Sequence, residues 1–72
     1  MAQLTWQDSD EIGYQLYESD PDQNPLELGF VVLHQRICAL PTFGDDPKKS
    51  SEGALEAIQM AWYGEWKVDH GK

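Results

Sequence analysis

Lysine and arginine are scarce in this chain, and neither occurs before Arg36. Five basic side chains stand against 13 Asp and Glu, for a formal net charge of −8 over 72 residues. Phosphate binding depends on clustered Lys and Arg, so nucleic acid is disfavoured and is not expected as a partner. Cysteine occurs once, at Cys38, which rules out an intramolecular disulfide framework and any Cys-only metal site and points to a reducing compartment. No apolar run approaches the ~20 residues that span a bilayer, and the N-terminus lacks the basic start and apolar stretch of a signal peptide, so the cytoplasm is the expected location. There is no Gly-rich phosphate loop, no HExxH helix and no pair of CxxC knuckles. A nucleophile and base would have to be assembled from Cys38 or a serine with His34 or His70, and no constellation supports an enzyme.

A chain this short buries only about 60% of the surface its unfolded form exposes, which allows one domain and one modest core. Apolar residues make up 40% and three are Trp, a composition that folds instead of forming a disordered acidic tail. The acidic residues are concentrated early: Asp8, Asp10, Glu11, Glu18, Asp20, Asp22 and Glu27 all precede the first Arg. Self-repulsion on that scale costs stability, so a one-signed half suggests steering toward a basic partner or collection of hard cations. The plainer reading of any single carboxylate is that it keeps the surface soluble.

Three helices are predicted. Asp8-Ser9-Asp10-Glu11 has the form of a capping box, Ile12 and Leu16 lie four apart on a core stripe with Tyr17 beside them, and Glu11 and Glu18 lie seven apart on a wetter face. The turn formers from Asp20 to Pro25 stop that helix near Ser19. Phe30 leads into a second helix through Leu40, in which Leu33, Ile37 and Leu40 repeat at four and three. Pro41 to Ser50 reads as a loop carrying the only clustered positive charge, Lys48 and Lys49. Ser50 or Ser51 caps a third helix with Leu55, Ile58 and Trp62 facing inward, weakened at Gly64. The expected architecture is therefore mainly α, a single domain over residues 1–66 with at most a minor two-stranded element, and a frayed tail at 67–72.

His34 and Cys38, four apart, would share one side of the second helix as a two-ligand metal site, although a cysteine beside core positions is more often a small buried apolar residue. The carboxylates offer a second kind of metal chemistry, as oxygen donors for ferrous iron, calcium or magnesium, without EF-hand spacing. Asp45-Asp46-Pro47 is the densest local acidic pair, and otherwise an acidic loop. Among the tryptophans, Trp6 and Trp62 are expected in the core, and Trp66 is the one expected to be exposed as a partner anchor.

The segment Leu4-Thr5-Trp6-Gln7-Asp8-Ser9-Asp10-Glu11-Ile12-Gly13 resembles the opening signature of the IscX family, and the likeness continues through Leu16-Tyr17, Pro21-Asp22, Phe30, Leu33-His34-Gln35, Ile37-Cys38, Phe43, Asp45-Asp46-Pro47, Leu55-Glu56-Ala57-Ile58 and Trp62, without gaps to about Glu65. The resemblance implies a small helical fold likened to a winged helix, encoded beside bacterial iron–sulphur cluster genes. It implies binding to a cysteine desulfurase through an acidic face that overlaps the frataxin-binding region, modulation of that enzyme, and weak binding of ferrous iron through exposed carboxylates.

On the family pattern Asp8, Glu11, Glu18, Asp22, Asp45 and Asp46 fall on acidic positions and are the expected partner contacts, with Glu11, Glu18 and Asp22 the expected metal contacts. Where the family typically has Arg-Phe-Thr-Asp, this chain has Gly29-Phe30-Val31-Val32, losing a cap and a carboxylate and leaving a more apolar entry to the second helix. Ala39, Pro41, Thr42 and Gly44 likewise thin the charge of their region. Partner binding is thus expected ahead of iron binding. The leading expectation is a monomeric acidic adaptor docking on a basic patch of the desulfurase. Behind it stand a stand-alone iron carrier or buffer and, disfavoured by the missing basic face, a DNA-binding regulator suggested by the fold alone.

Overall fold

The computed structural model describes residues 3–70. Three α-helices carry the fold: α1 (Ser9–Ser19), α2 (Phe30–Cys38) and α3 (Glu52–His70). Two short 3-10 turns, Pro25–Glu27 and Pro47–Lys49, sit within the connections. Among the described residues there is no strand. The minor β element reduces to one parallel bridge between Leu4 and Phe43.

The apolar spacings place the core where periodicity puts it. Ile12 and Leu16 of α1, Leu33 and Ile37 of α2, and Leu55, Ile58 and Trp62 of α3 are all buried, joined by Trp6 from the N-terminal segment. No polar or charged side chain is buried among the described residues. The indole N–H groups of Trp62 and Trp66 are the buried polar atoms left without a partner among the described residues, a cost that the apolar burial around them offsets. The molecule extends only 36 × 26 × 16 Å, so its concavities are shallow surface grooves.

α1 packs chiefly along α3. Their backbones meet at Gly13, where an added Cβ would lie 2.6 Å from Ala61 Cβ and 2.7 Å from Trp62 N. The α1–α2 connection is fastened to α3 as well. Asn24 caps the first 3-10 turn through Leu26 N at 3.0 Å, and Gln59 Nε2 donates to Pro25 O at 3.0 Å. Arg36 of α2 reaches back to Asp20 just beyond α1 at 3.2 Å. Both side chains are more than a third exposed, so solvent screening leaves the pair little stability to add by itself.

Several sequence expectations shift. α2 ends at Cys38 instead of Leu40, because the chain turns there with Leu40 N bonded to Ile37 O. α3 continues through Gly64 and through residues 67–70, where a frayed tail was expected. It runs to His70, whose Nε2 lies 2.8 Å from Pro21 O and whose ring stacks on Trp66 at 4.7 Å. Residues 71 and 72 of the expected tail lie outside the described residues. Trp66 is half-buried against the core and also stacks on Tyr63, so it is not the exposed anchor expected. Asp8 occupies the N-cap of α1 without making a cap bond, and the capping box with Glu11 is not formed.

The close α1–α3 approach is testable. Gly13→Ala is expected to lower unfolding stability by about 1–3 kcal/mol, the range for overpacking a filled core. Gly64→Ala, where nothing lies within 4 Å of an added Cβ, is expected to raise it by about 0.5–1 kcal/mol, since alanine is the better helix former. Urea denaturation followed by Trp fluorescence reads both, and equal effects at the two sites would remove the packing explanation.

Candidate partner-binding face

The expected acidic residues divide into two groups that the structure treats differently. Asp45 and Asp46 belong to a clasp that holds the N-terminal segment. Trp6 N donates to Asp45 Oδ2 at 3.1 Å, Asp46 N donates to Asp45 Oδ1 at 2.7 Å, and Trp6 Nε1 donates to Asp46 O at 2.7 Å. Asp46 Oδ1 also accepts from Lys48 N at 2.9 Å, capping the second 3-10 turn. The ring of Trp6 stacks on His34 at 5.4 Å and meets Phe43 edge-on at 4.8 Å. Backbone bonds from Leu4 N to Thr42 O and from Gly44 N to Leu4 O complete the clasp.

The Trp6 N–H bond, followed by that from Asp46 N–H, holds the Asp45 carboxyl below its ordinary value of 3.8, because hydrogen bonds to the ionised form favour it. Asp8 is similarly engaged, accepting from Thr5 N at 2.9 Å and Thr5 Oγ1 at 3.3 Å.

His34 and Cys38 adjoin the same clasp. His34 Nε2 lies 2.7 Å from Pro47 O. A carbonyl only accepts, so Nε2 carries the proton and Nδ1 presents a lone pair to Cys38 Sγ at 3.8 Å. Partial burial pushes the Cys38 thiol up, which favours the neutral form over the thiolate that a metal would need. No group of three or more His, Cys, Asp or Glu side chains placed to hold a metal ion exists among the described residues. The His34–Cys38 pair therefore lacks a third donor, and Glu11, Glu18 and Asp22 do not converge into a chelating set.

Glu11 and Glu18 are exposed on α1. They line an open groove of about 410 Å³ with Tyr14, Gln15 and Ser19 of the same helix and with Leu40, Pro41 and Thr42 of the α2–α3 connection. Thr42 Oγ1 donates to Gln15 Oε1, tying the connection to α1 within the groove lining. Asp22 is exposed on the connection after α1 and does not line the groove.

Two contributors to this face were not singled out from the sequence. Tyr14, three residues after Glu11 and four before Glu18, is 42% exposed between them. Its phenol is held above the ordinary value of 10 first by the charge of Glu18, then by partial desolvation and by its hydrogen bond to Glu18, with the charges of Glu65 and Glu11 adding. The charge of Glu65, carried on α3, is thus felt on the α1 face. Helical spacing could have marked Tyr14; no local signal could have marked Glu65. Among the described residues the only Lys or Arg ion pair is Arg36 with Asp20, so no cation neutralises Glu11, Glu18 or Glu65.

The family model for "Iron-sulphur cluster assembly" matches residues 4–67. The chain belongs to the IscX family. An uncharacterized protein of Pseudomonas aeruginosa is 49% identical over 59 residues, covering 82% of this chain and 89% of that protein. The IscX match thus takes in both the clasp and the acidic groove. It assigns the chain to iron–sulphur cluster assembly, an accessory role. The departure at Gly29–Val32 lies elsewhere on this IscX member: Val31 is 74% exposed and lines an apolar hollow with Phe30, His34, Gln35 and Leu55 that shares no residue with the groove. No helix of the described residues is long and apolar enough to cross a membrane.

The clasp predicts a pH dependence. A carboxyl whose folded value is depressed stabilises the fold above its unfolded value, and that contribution is lost as pH falls through the folded value. Asp45 therefore holds the N-terminal segment above about pH 3.8 and releases it progressively below. Asp45→Asn, which cannot ionise, is expected to melt lower at neutral pH and to lose less stability on acidification. Thermal melts of both proteins between neutral pH and the acid limb check this, and parallel acid limbs would exclude Asp45 as the titrating group.

Proposed function

We propose that this chain is a non-enzymatic adaptor of iron–sulphur cluster assembly that acts in the cytoplasm as a monomer, its α1 face docking on a basic patch of a cysteine desulfurase. The observation that carries the reading is the groove-lining pair Glu11 and Glu18, joined by Glu65 and left without a cationic partner among the described residues. Uncompensated charge held on a rigid helix repels itself, and a partner of opposite sign relieves that repulsion while raising the association rate. Family membership supports a role among assembly proteins. Within the face, Glu11 and Glu18 are the primary contacts, with Asp8 and Asp22 at its ends. Asp45 and Asp46 serve the clasp, so their part in docking is to keep the segment before α1 in place.

The weak ferrous-iron binding expected from the family pattern gains no support from this arrangement. Glu11 and Glu18 are seven residues apart, or about 10 Å along the helix axis, and a ferrous ion bound by one carboxylate exchanges freely. A stand-alone iron carrier is correspondingly disfavoured.

Calorimetric titration of the chain into the cysteine desulfurase of the same organism tests the proposal. Saturable binding is expected to weaken as salt rises, because exposed charges are screened over a Debye length of about 10 Å at 0.1 M ionic strength. The double reversal Glu11→Lys with Glu18→Lys should weaken it by about tenfold or more. Binding indifferent to both salt and reversal would exclude the acidic face as the contact.

A further inference from the structure

The hollow at the start of α2 differs in chemistry from the acidic surface around it. Phe30, Val31 and Leu55 line it with His34 and Gln35, so neither a carboxylate nor an ammonium forms its wall. Val31 is 74% exposed and the adjoining Val32 40%, and contiguous apolar side chains left open to water mark a contact surface.

The α2 side of the hollow is positive. The first turn of α2 has no acidic residue, and Gly29 at its N-cap makes no side-chain bond to it, so the N–H groups of that turn present the positive end of the helix to solvent. Nothing lies within 4 Å of a Cβ built on Gly29, which leaves that end open to a group from outside. His34 of the wall is bonded at 2.7 Å to Pro47 O, which brings the Pro47–Lys49 turn alongside. The charge of Lys49 is felt at Asp45, whereas Lys48 has no ion-pair partner among the described residues. Acid at this end of the molecule belongs to α3, where Glu52 and Glu56 stand three before and one after Leu55.

These charges choose among occupants. A second copy carries the same −8, and a stable pair buries about 800 Å² per partner out of a surface of 4661 Å² here, far more than the five residues of the hollow supply. A basic segment would meet Lys48 and the uncapped end of α2, and a wholly apolar one would leave both unanswered. We propose that the hollow docks a short acidic amphipathic segment of a partner protein, its apolar side chain against Phe30, Val31 and Leu55 and a neighbouring carboxylate at the open end of α2. The partner thereby supplies the cap and the carboxylate that Gly29–Val32 lacks relative to the family pattern. Because the chain as a whole is negative, the attraction is local and the contact weak. The hollow shares no residue with the α1 groove, so this inference goes beyond the adaptor reading and does not depend on it.

Titration of the isotopically labelled chain with three capped peptides reads the site by amide chemical shifts: leucines flanked by aspartates, leucines flanked by lysines, and serines flanked by aspartates. The leucine–aspartate peptide is expected to shift Phe30, Val31 and Leu55 saturably. It should bind about twofold to fivefold more tightly than the lysine-flanked one, the range for a charge at a helix end, and the serine peptide should not saturate. Gly29→Asp puts a carboxylate of the chain itself at the N-cap, on backbone already extended. It is expected to raise the melting temperature and abolish the preference for aspartate flanks, while Gly29→Ala keeps that preference. Val31→Ser should weaken both leucine peptides together without lowering the melting temperature appreciably.

Equal affinity for the two leucine peptides, shifts confined to α1, or a preference that survives Gly29→Asp overturns the site. Shifts at Val31 that grow with chain concentration alone assign the hollow to a second copy and overturn it as well. Desulfurase binding should be indifferent to Gly29→Asp and to bound peptide, and competition between them overturns the separation of the two faces. Selective peptide binding without any desulfurase binding overturns the adaptor and leaves this site standing.

Discussion

Gly13 has no side chain where α1 meets α3, and the backbone of Trp62 occupies the space that a methyl group would need. Two helices brought this close share one core, with Ile12 and Leu16 on one side and Ile58 and Trp62 on the other, all almost fully buried. The same approach fixes the surface. Tyr14 follows Gly13 on α1, Glu65 follows Ala61 by one turn on α3, and the charge of Glu65 is felt at the Tyr14 phenol. A small residue at one crossing thus sets both the packing of a core limited by chain length and the field around the exposed groove.

Negative charge is used in two opposed ways. Asp8, Asp45 and Asp46 are spent locally, accepting bonds from backbone N–H groups of the N-terminal segment (Thr5, Trp6) and of the α2–α3 connection (Asp46, Lys48) that would otherwise be left to water. These groups rigidify. Glu11 and Glu18 accept no backbone N–H and face solvent, Glu18 engaging only the exposed Tyr14 phenol, so their charge acts outward. Net charge alone does not distinguish the two, although their consequences differ: removing the first kind loosens the fold, and removing the second leaves the fold and alters what it attracts.

Much of the fold was legible in the sequence because helical periodicity is a local signal. Ile12 with Leu16, Leu33 with Ile37, and Leu55 with Ile58 and Trp62 are read from spacing and are buried as read. The misses have identifiable causes. Pro25–Glu27 and Pro47–Lys49 are too short for periodicity and are fixed by the Asx caps of Asn24 and Asp46. The continuation of α3 past Gly64 depends on Trp66 stacking with Tyr63 and His70, and on His70 reaching Pro21. Those contacts outweigh the roughly 1 kcal/mol that glycine costs within a helix.

By itself, the sequence determined the charge of the first half, the three amphipathic helices, the family signature and the acidic candidates, since each depends on composition or on neighbours within two helical turns. Only the tertiary structure decided which carboxylates are free. Asp45 lies 39 positions from Trp6 and Glu65 more than 50 from Tyr14, and no rule of spacing connects them. Asp45 meets Trp6 because the N-terminal segment folds back on the α2–α3 connection, and the charge of Glu65 is felt at Tyr14 because α3 packs along α1. Burial of apolar surface drives that packing without regard to the charges it carries, so the charge pattern on the finished surface is a product of the fold.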